Sequence, residues 1–167
     1  MISKQDEAKA RRERDIFSAF VIDANLDVQA DSISSEPPFS GKTDIRCLVA
    51  GQRHYFELTE IVDPGLAENH SLARDGCSRG GFYSGDIPLI KAFRDKAEKS
   101  YETTDGRLEL LAYYDKQESD PYPLEPSVQE ELFAIAGRML RAGWHRLWVY
   151  DCHSKRLCLR FVSRSTC

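Results

Sequence analysis

Two carboxylates carry the clearest chemical signal in this chain of 167 residues. Asp44 opens an alternating segment, 43–50, in which Ile45, Cys47 and Val49 share one side and Asp44, Arg46 and Leu48 the other. Glu57 stands between Phe56 and Leu58, in the middle of a second extended segment, 54–62, and Gly51-Gln52 reads as the short turn between the two. Buried strands rarely carry a carboxylate in mid-run, because burying an unpaired charge is costly. Across a tight hairpin the start of the first strand lies near the end of the second, so Asp44 and Glu57 can approach one another. Two carboxylates that close repel, and a divalent cation relieves the repulsion. Hard oxygen ligands of this kind suit Mg²⁺ or Mn²⁺. Such an ion activates water and neutralises charge building on a phosphate. The alternative for the same spacing is a surface hairpin with a polar outer face, on which Glu57 is simply exposed.

The surrounding elements must hold that pair. Residues 4–22 predict a helix with Glu13, Ile16, Phe17 and Phe20 on one stripe, and 31–42 (DSISSEPPFSGK) a Ser/Pro/Gly-rich loop. After the hairpin, 63–86 holds Asp63-Pro64-Gly65, Gly76, Gly80-Gly81 and Gly85. A long mobile loop with one short helical turn near 66–72 is expected there. A second helix follows over about 88–101, then a strand at 107–114 and a Pro-rich loop, SDPYPLEP. A third helix starts at Ser127, carries Val128, Leu132, Ile135, Ala136, Met139 and Leu140, and ends at Gly143. Strands at 146–151 and 156–162, joined by Cys152-His153-Ser154-Lys155, close the chain. The order helix, hairpin, helix, strand, helix, hairpin implies a single α/β domain of mixed α+β character over 1–167, its central mixed sheet flanked by helices.

Asp44, the hairpin and Glu57-x-Thr59, after a first helix with an inward carboxylate, resemble the PD-(D/E)XK phosphodiesterase core. That core is an α-β-β-β-α-β unit found in restriction enzymes and Holliday-junction resolvases. The resemblance spans roughly residues 4–150, and its specific part is EPPFSGKTDIRCLVAGQRHYFELTEI. It implies a restriction-endonuclease-like fold, Mg²⁺ or Mn²⁺ held by Asp44 and Glu57, and nucleic acid as substrate. The backbone carbonyl of Leu58 would complete the coordination shell, and Glu13 would be the acid of the first helix, assisting through water. One departure matters: the family's lysine falls at position 59, where this chain has Thr59 and offers only a hydroxyl. Some members take that lysine from the following helix, which here holds Lys91, Lys96 and Lys99. At roughly 100° per residue, Ile90, Phe93, Ala97 and Ser100 define the inward arc. Lys96 lies at its edge beside Leu89, Lys91 points away, and Lys99 is flank or solvent. The alternatives are a surface lysine that snorkels and a Glu13 at the wet end of an apolar stripe. Glu60 alternates to the face opposite Glu57 and reads as structural, while Glu36 could add a further carboxylate.

Bulk properties bound these readings. A hydrophobic fraction of 41% with 30% charged residues is that of a soluble globular protein, and no apolar run approaches the ~18 residues of a membrane span. The charged N-terminus lacks the apolar core of a secretory signal, so a cytoplasmic protein with no membrane partner is expected. The net charge of −4 weakens a nucleic-acid role, since phosphate contact usually demands a basic surface. Lys9, Arg11, Arg12 and Arg14 form the one local basic run, diluted by Glu7, Glu13 and Asp15. Cys47, Cys77, Cys152, Cys158 and Cys167 form no CxxC pair and read as reduced thiols. His54, His70, His145 and His153 form no triad, and the glycines at 76–85 make no phosphate-binding loop. Many nucleases of this plan are dimers, so a homodimer is a further expectation. Three functions remain in view: a metal-dependent phosphodiesterase, a nuclease-like scaffold that has lost catalysis and binds or regulates, and a protein-interaction domain using the 63–86 loop.

Overall fold

A computed structural model describes residues 4–36, 42–62, 87–101, 103, 105–115 and 124–163. Helix α1 (Lys4–Asp23) buries Glu13, Ile16, Phe17 and Phe20, the i, i+3, i+4, i+7 stripe of one face. It closes on Asn25, whose φ of 50° takes the left-handed position most helices give to glycine. There the Asn25 N–H donates to the Ile22 carbonyl (3.1 Å) and the Leu26 N–H to that of Val21 (3.0 Å), satisfying carbonyls that the helix end leaves open.

A 3-10 turn (Ala30–Ser32) and the two-residue strand β1 (Ser34–Ser35) lead to a hairpin of β2 (Ile45–Val49) and β3 (Gln52–Glu60). Its turn is Ala50-Gly51, one residue earlier than the expected Gly51-Gln52, because Gln52 already pairs with Val49. Ala50 (φ 48°) and Gly51 (φ 76°) are both left-handed, the arrangement whose twist suits a two-residue hairpin.

Helix α2 (Pro88–Ala97) stops short of the expected residue 101, since the Lys99 N–H turns back to the Lys96 carbonyl and tightens the last turn. Strand β4 (Arg107–Tyr114), helix α3 (Pro126–Arg141), β5 (Trp144–Asp151) and β6 (Arg156–Val162) complete the chain in the expected order. Proline at the first turn of α2 and of α3 presets φ for a helix start.

The strands form one mixed sheet in the order β1-β2-β3-β4-β5-β6. Strands β3, β4 and β5 run parallel, and the outer pairings are antiparallel. Alternation along β4 divides the core: Leu111 and Tyr113 face α1 with Phe56, Leu58, Trp148 and Tyr150, while Leu110 and Ala112 face α2 and α3 with Phe93, Leu132, Ile135 and Leu147. Burial of each large side chain stabilises by about 1.5–3 kcal/mol, which is why α1 is held by Phe17 and Phe20 despite a mostly polar sequence. The fold class is therefore α/β, as expected. Residues 63–86, 37–41 and 116–123, with the predicted Gly-rich loop and most of the Pro-rich loops, lie outside the described residues. No described helix is long and apolar enough to cross a membrane.

Candidate functional site

Strand β2 runs out where the site begins. Its first pairing is Ile45 with Phe56, so Asp44 stands one residue beyond, in the row of Glu57. The Leu58 N–H, left without a strand partner there, donates to Asp44 Oδ2 at 2.8 Å. A carboxylate thus replaces a missing ladder bond, which fixes the Asp44 side chain. Glu57 points to the face covered by α2, where the Lys96 ammonium pairs with its Oε1. Both side chains are mostly withdrawn from water, 13% exposed for Lys96 and 8% for Glu57. Glu57 is therefore not the exposed residue of a surface hairpin, and of Lys91, Lys96 and Lys99 it is Lys96 that reaches it. Lys91 pairs with Asp95 along its own helix.

Glu13 approaches from α1, on the opposite face, buried and with Lys9 Nζ 3.5 Å from its carboxylate. Burial, and then the negative charge of Asp44, push its pKa up to about 7, against the pull of Lys9 and with a further push from Glu57. Burial and Asp44 likewise raise Glu57 above the ordinary carboxylate range, opposed by Lys96. Asp44 therefore acts on an acid to either side of the sheet, Glu13 on one face and Glu57 on the other. Among the described residues no three His, Cys, Asp or Glu side chains converge closely enough to hold an ion together. A divalent cation here would rest on Asp44 and Glu57, with the Leu58 carbonyl on the strand edge that also carries its N–H.

The remaining expected residues divide clearly. Thr59, half-buried and in register with Ala112, follows Glu57 on the same face and offers only a hydroxyl there. Glu60 turns to the other face, where Arg12 of α1 bridges it (3.0 Å) and Asp115, a structural clamp as alternation requires. Glu36 is tied to Asp44 only through the backbone, its N–H donating to the Asp44 carbonyl at 3.0 Å. Its carboxylate faces Lys42 and Arg46, each at 3.6 Å.

Two features of the site escaped the sequence reading. Tyr101, just past α2, sets its ring edge-on to Trp144 at 5.5 Å and buries its hydroxyl against Glu57. That contact shifts both groups yet lies outside normal hydrogen-bond geometry, so the hydroxyl has no full partner. Burial and then the charge of Glu57 push the Tyr101 pKa far up, keeping a neutral phenol. Thr43 Oγ1, next to Asp44 in the chain, is likewise buried without a partner.

A second buried acid occupies the α1 face. Glu109 of β4 is fully enclosed: His54 Nδ1 contacts its Oε1, the Arg146 guanidinium donates to the same oxygen (2.6 and 3.0 Å), and Trp148 Nε1 donates to Oε2 (2.6 Å). Burial alone would raise its pKa, but the bonds from His54, Arg146 and Trp148 outweigh it and hold the group below its ordinary value. Cys47 lies within range of this charge; burial, then Glu109, push its thiol up to about 12, an inert state. Among the described residues Cys47 and Cys152 are free thiols.

Compared with known protein families, curated proteins and solved structures, the chain matches none of them.

Proposed function

We propose that this chain is a metal-dependent phosphodiesterase acting on nucleic acid, built on the PD-(D/E)XK plan, with Asp44 and Glu57 as ligands of Mg²⁺ or Mn²⁺. The observation that carries the proposal is Lys96 of α2 on Glu57, with Asp44 in the same row of the hairpin and held there by the Leu58 N–H. Among the described residues the order α1, β1, β2, β3, α2, β4 supports it, because it follows the α-β-β-β-α-β unit of that core. Mutual repulsion among Glu13, Asp44 and Glu57 also fits a site that accepts a divalent cation.

Once bound, the cation supplies an activated water and neutralises charge on the phosphate. The chain's own groups do the positioning. Asp44 is held by the Leu58 N–H, so its carboxylate needs little reorganisation. Lys96, as Glu57 turns to its ligand role, keeps an ammonium beside the developing negative charge, where a fixed cation in a dry site is most effective. Glu13, with a pKa of about 7, can take up a proton at its carboxyl near neutral pH. A cytoplasmic location and a homodimer belong to the same proposal.

A second reading, a nuclease-like module that binds or regulates without turnover, is favoured by one observation. Lys96 already neutralises Glu57, and Thr59 leaves the strand without its lysine.

Calorimetric titration of Mg²⁺ and Mn²⁺, with cleavage assays on labelled DNA and RNA, separates them. Phosphodiesterase activity predicts metal binding in the unaltered protein and its loss in Asp44→Ala and Glu57→Ala. Lys96→Ala should keep the metal and lose roughly 10²–10³-fold in turnover. Equal metal binding in all these proteins would sink the catalytic reading; metal-dependent nucleic-acid binding without turnover would select the second.

A further inference from the structure

We infer that Tyr101 is a ligand-binding residue of this site, its hydroxyl donating a hydrogen bond to a non-bridging oxygen of the phosphate group received beside Asp44 and Glu57. The inference takes its ligand class from the phosphodiesterase reading, and its donor from the geometry.

Buried polar atoms are almost always paired, because a donor taken from water without a replacement partner costs stability. This fold follows the rule well. Glu109 engages both its oxygens, the Tyr150 hydroxyl donates to Asp23 Oδ2 at 2.5 Å, and the Tyr55 hydroxyl donates to Asp105 Oδ1 at 2.9 Å. Among the described residues, the buried side-chain oxygens left without a partner are the Tyr101 hydroxyl and Thr43 Oγ1. Both border the acid pair: Thr43 precedes Asp44, and the Tyr101 hydroxyl lies against Glu57. Of the two exceptions, the Tyr101 hydroxyl is the one packed beside Glu57, while Thr43 is linked to the pair only as the chain neighbour of Asp44.

The kind of donor fits the kind of ligand. Glu57 Oε1 already has Lys96, so the phenol is not needed to neutralise it. A second cation in this position would be captured by Asp44 or Glu57. A neutral phenol forms no such ion pair and stays available to an entering anion, with which it makes a charge-assisted bond stronger than a neutral one. Its aim is also set beforehand, because the ring is held edge-on against Trp144. An ordered donor of this type acts without reorganising when the anion arrives.

Tyr101→Phe removes the one oxygen and keeps the ring on Trp144. The protein and this variant are compared in four measurements: Mn²⁺ affinity, melting temperature, calorimetric affinity for thymidine 3′,5′-bisphosphate in Ca²⁺, and cleavage of labelled DNA and RNA in Mg²⁺. Expected are unchanged metal affinity, an unchanged or higher melting temperature, and bisphosphate binding weakened roughly 10- to 100-fold, with plain thymidine as the phosphate-free control. A purely structural tyrosine would instead lower the melting temperature and leave the bisphosphate affinity alone. Should the unaltered chain bind the bisphosphate in a Tyr101-dependent way but cleave neither nucleic acid, the phosphodiesterase reading falls and the inference stands. Should it cleave, with Tyr101→Phe equal to it in cleavage and in bisphosphate affinity, the inference falls and the phosphodiesterase reading stands. Failure of the unaltered chain to bind the bisphosphate at all also overturns the inference.

Discussion

Glu57 and Glu109 are near neighbours in the sheet. Phe56 pairs with Glu109 and Glu57 with Leu110, so the two acids lie one row apart on adjacent parallel strands and face opposite helices. Each is buried and each has a basic partner, Lys96 for Glu57 and Arg146 for Glu109. Their electrostatics nevertheless run in opposite directions. Glu109 collects three donors from His54, Arg146 and Trp148, and its charged form is favoured despite burial. Glu57 meets a point-charge lysine, an ill-aligned phenol and a second carboxylate, and its charged form is disfavoured. Burial alone therefore does not mark a functional acid. Glu109 sits in a saturated network that holds the fold together, whereas Glu57 sits in an unsaturated one with a like charge beside it, the arrangement on which the proposed metal site rests.

The largest test of this contrast is Glu109→Ala. It leaves the Arg146 side chain, only 16% exposed, without its counter-charge, and takes the buried acceptor from His54 and Trp148. A loss of about 3–5 kcal/mol in urea unfolding is expected. A loss under about 1 kcal/mol would break the comparison, since the network would then not be structural.

Glu57→Gln should behave differently. It removes a carboxylate that Asp44 repels and keeps an amide oxygen as an acceptor for Lys96, so a change within about 1 kcal/mol in the same assay is expected. A cost as large as that of Glu109→Ala would show that the two acids do the same work.

The smallest effect concerns pH, where the signs oppose. Glu13, raised from an ordinary value of 4.5 to about 7, binds its proton more tightly in the folded state. Its contribution is therefore full below about 4.5 and is lost as pH rises toward 7. Glu109, held below its ordinary value, contributes above that value and loses the contribution as pH falls through its folded pKa. Thermal melts should then show Glu13→Gln matching the parent at pH 4 and exceeding it by about 2–4 °C at pH 8. An identical gain at both values would mean that the carboxyl of Glu13 is not perturbed.

Much of the site was legible because it is local. Asp44 and Glu57 are joined by one tight hairpin, alternation separates Glu57 from Glu60, and the helical arc singles out Lys96 from Lys91. What was missed depends on distant partners. Leu108-Glu109-Leu110 carries the same mid-strand carboxylate as Phe56-Glu57-Leu58, and the same signal could have flagged it. Its partners, however, lie 55, 37 and 39 residues away and meet only through the parallel register. Tyr101 was read as part of a helix that in fact ends at Ala97, and its placement depends on Trp144, which arrives with β5. The turn was displaced by one residue because an alanine seldom accepts a left-handed backbone, at a cost of about 1 kcal/mol or more.

That alanine has a wider reach than its size suggests. Side chains on a strand alternate with a period of two, so one residue added to or removed from the Ala50-Gly51 corner would turn Glu57 toward α1 and bring Phe56 round to Lys96. The corner works as a key that sets which flank of the sheet carries the acid. A locally unfavourable bend is thus the part of the hairpin that keeps lysine and glutamate on speaking terms.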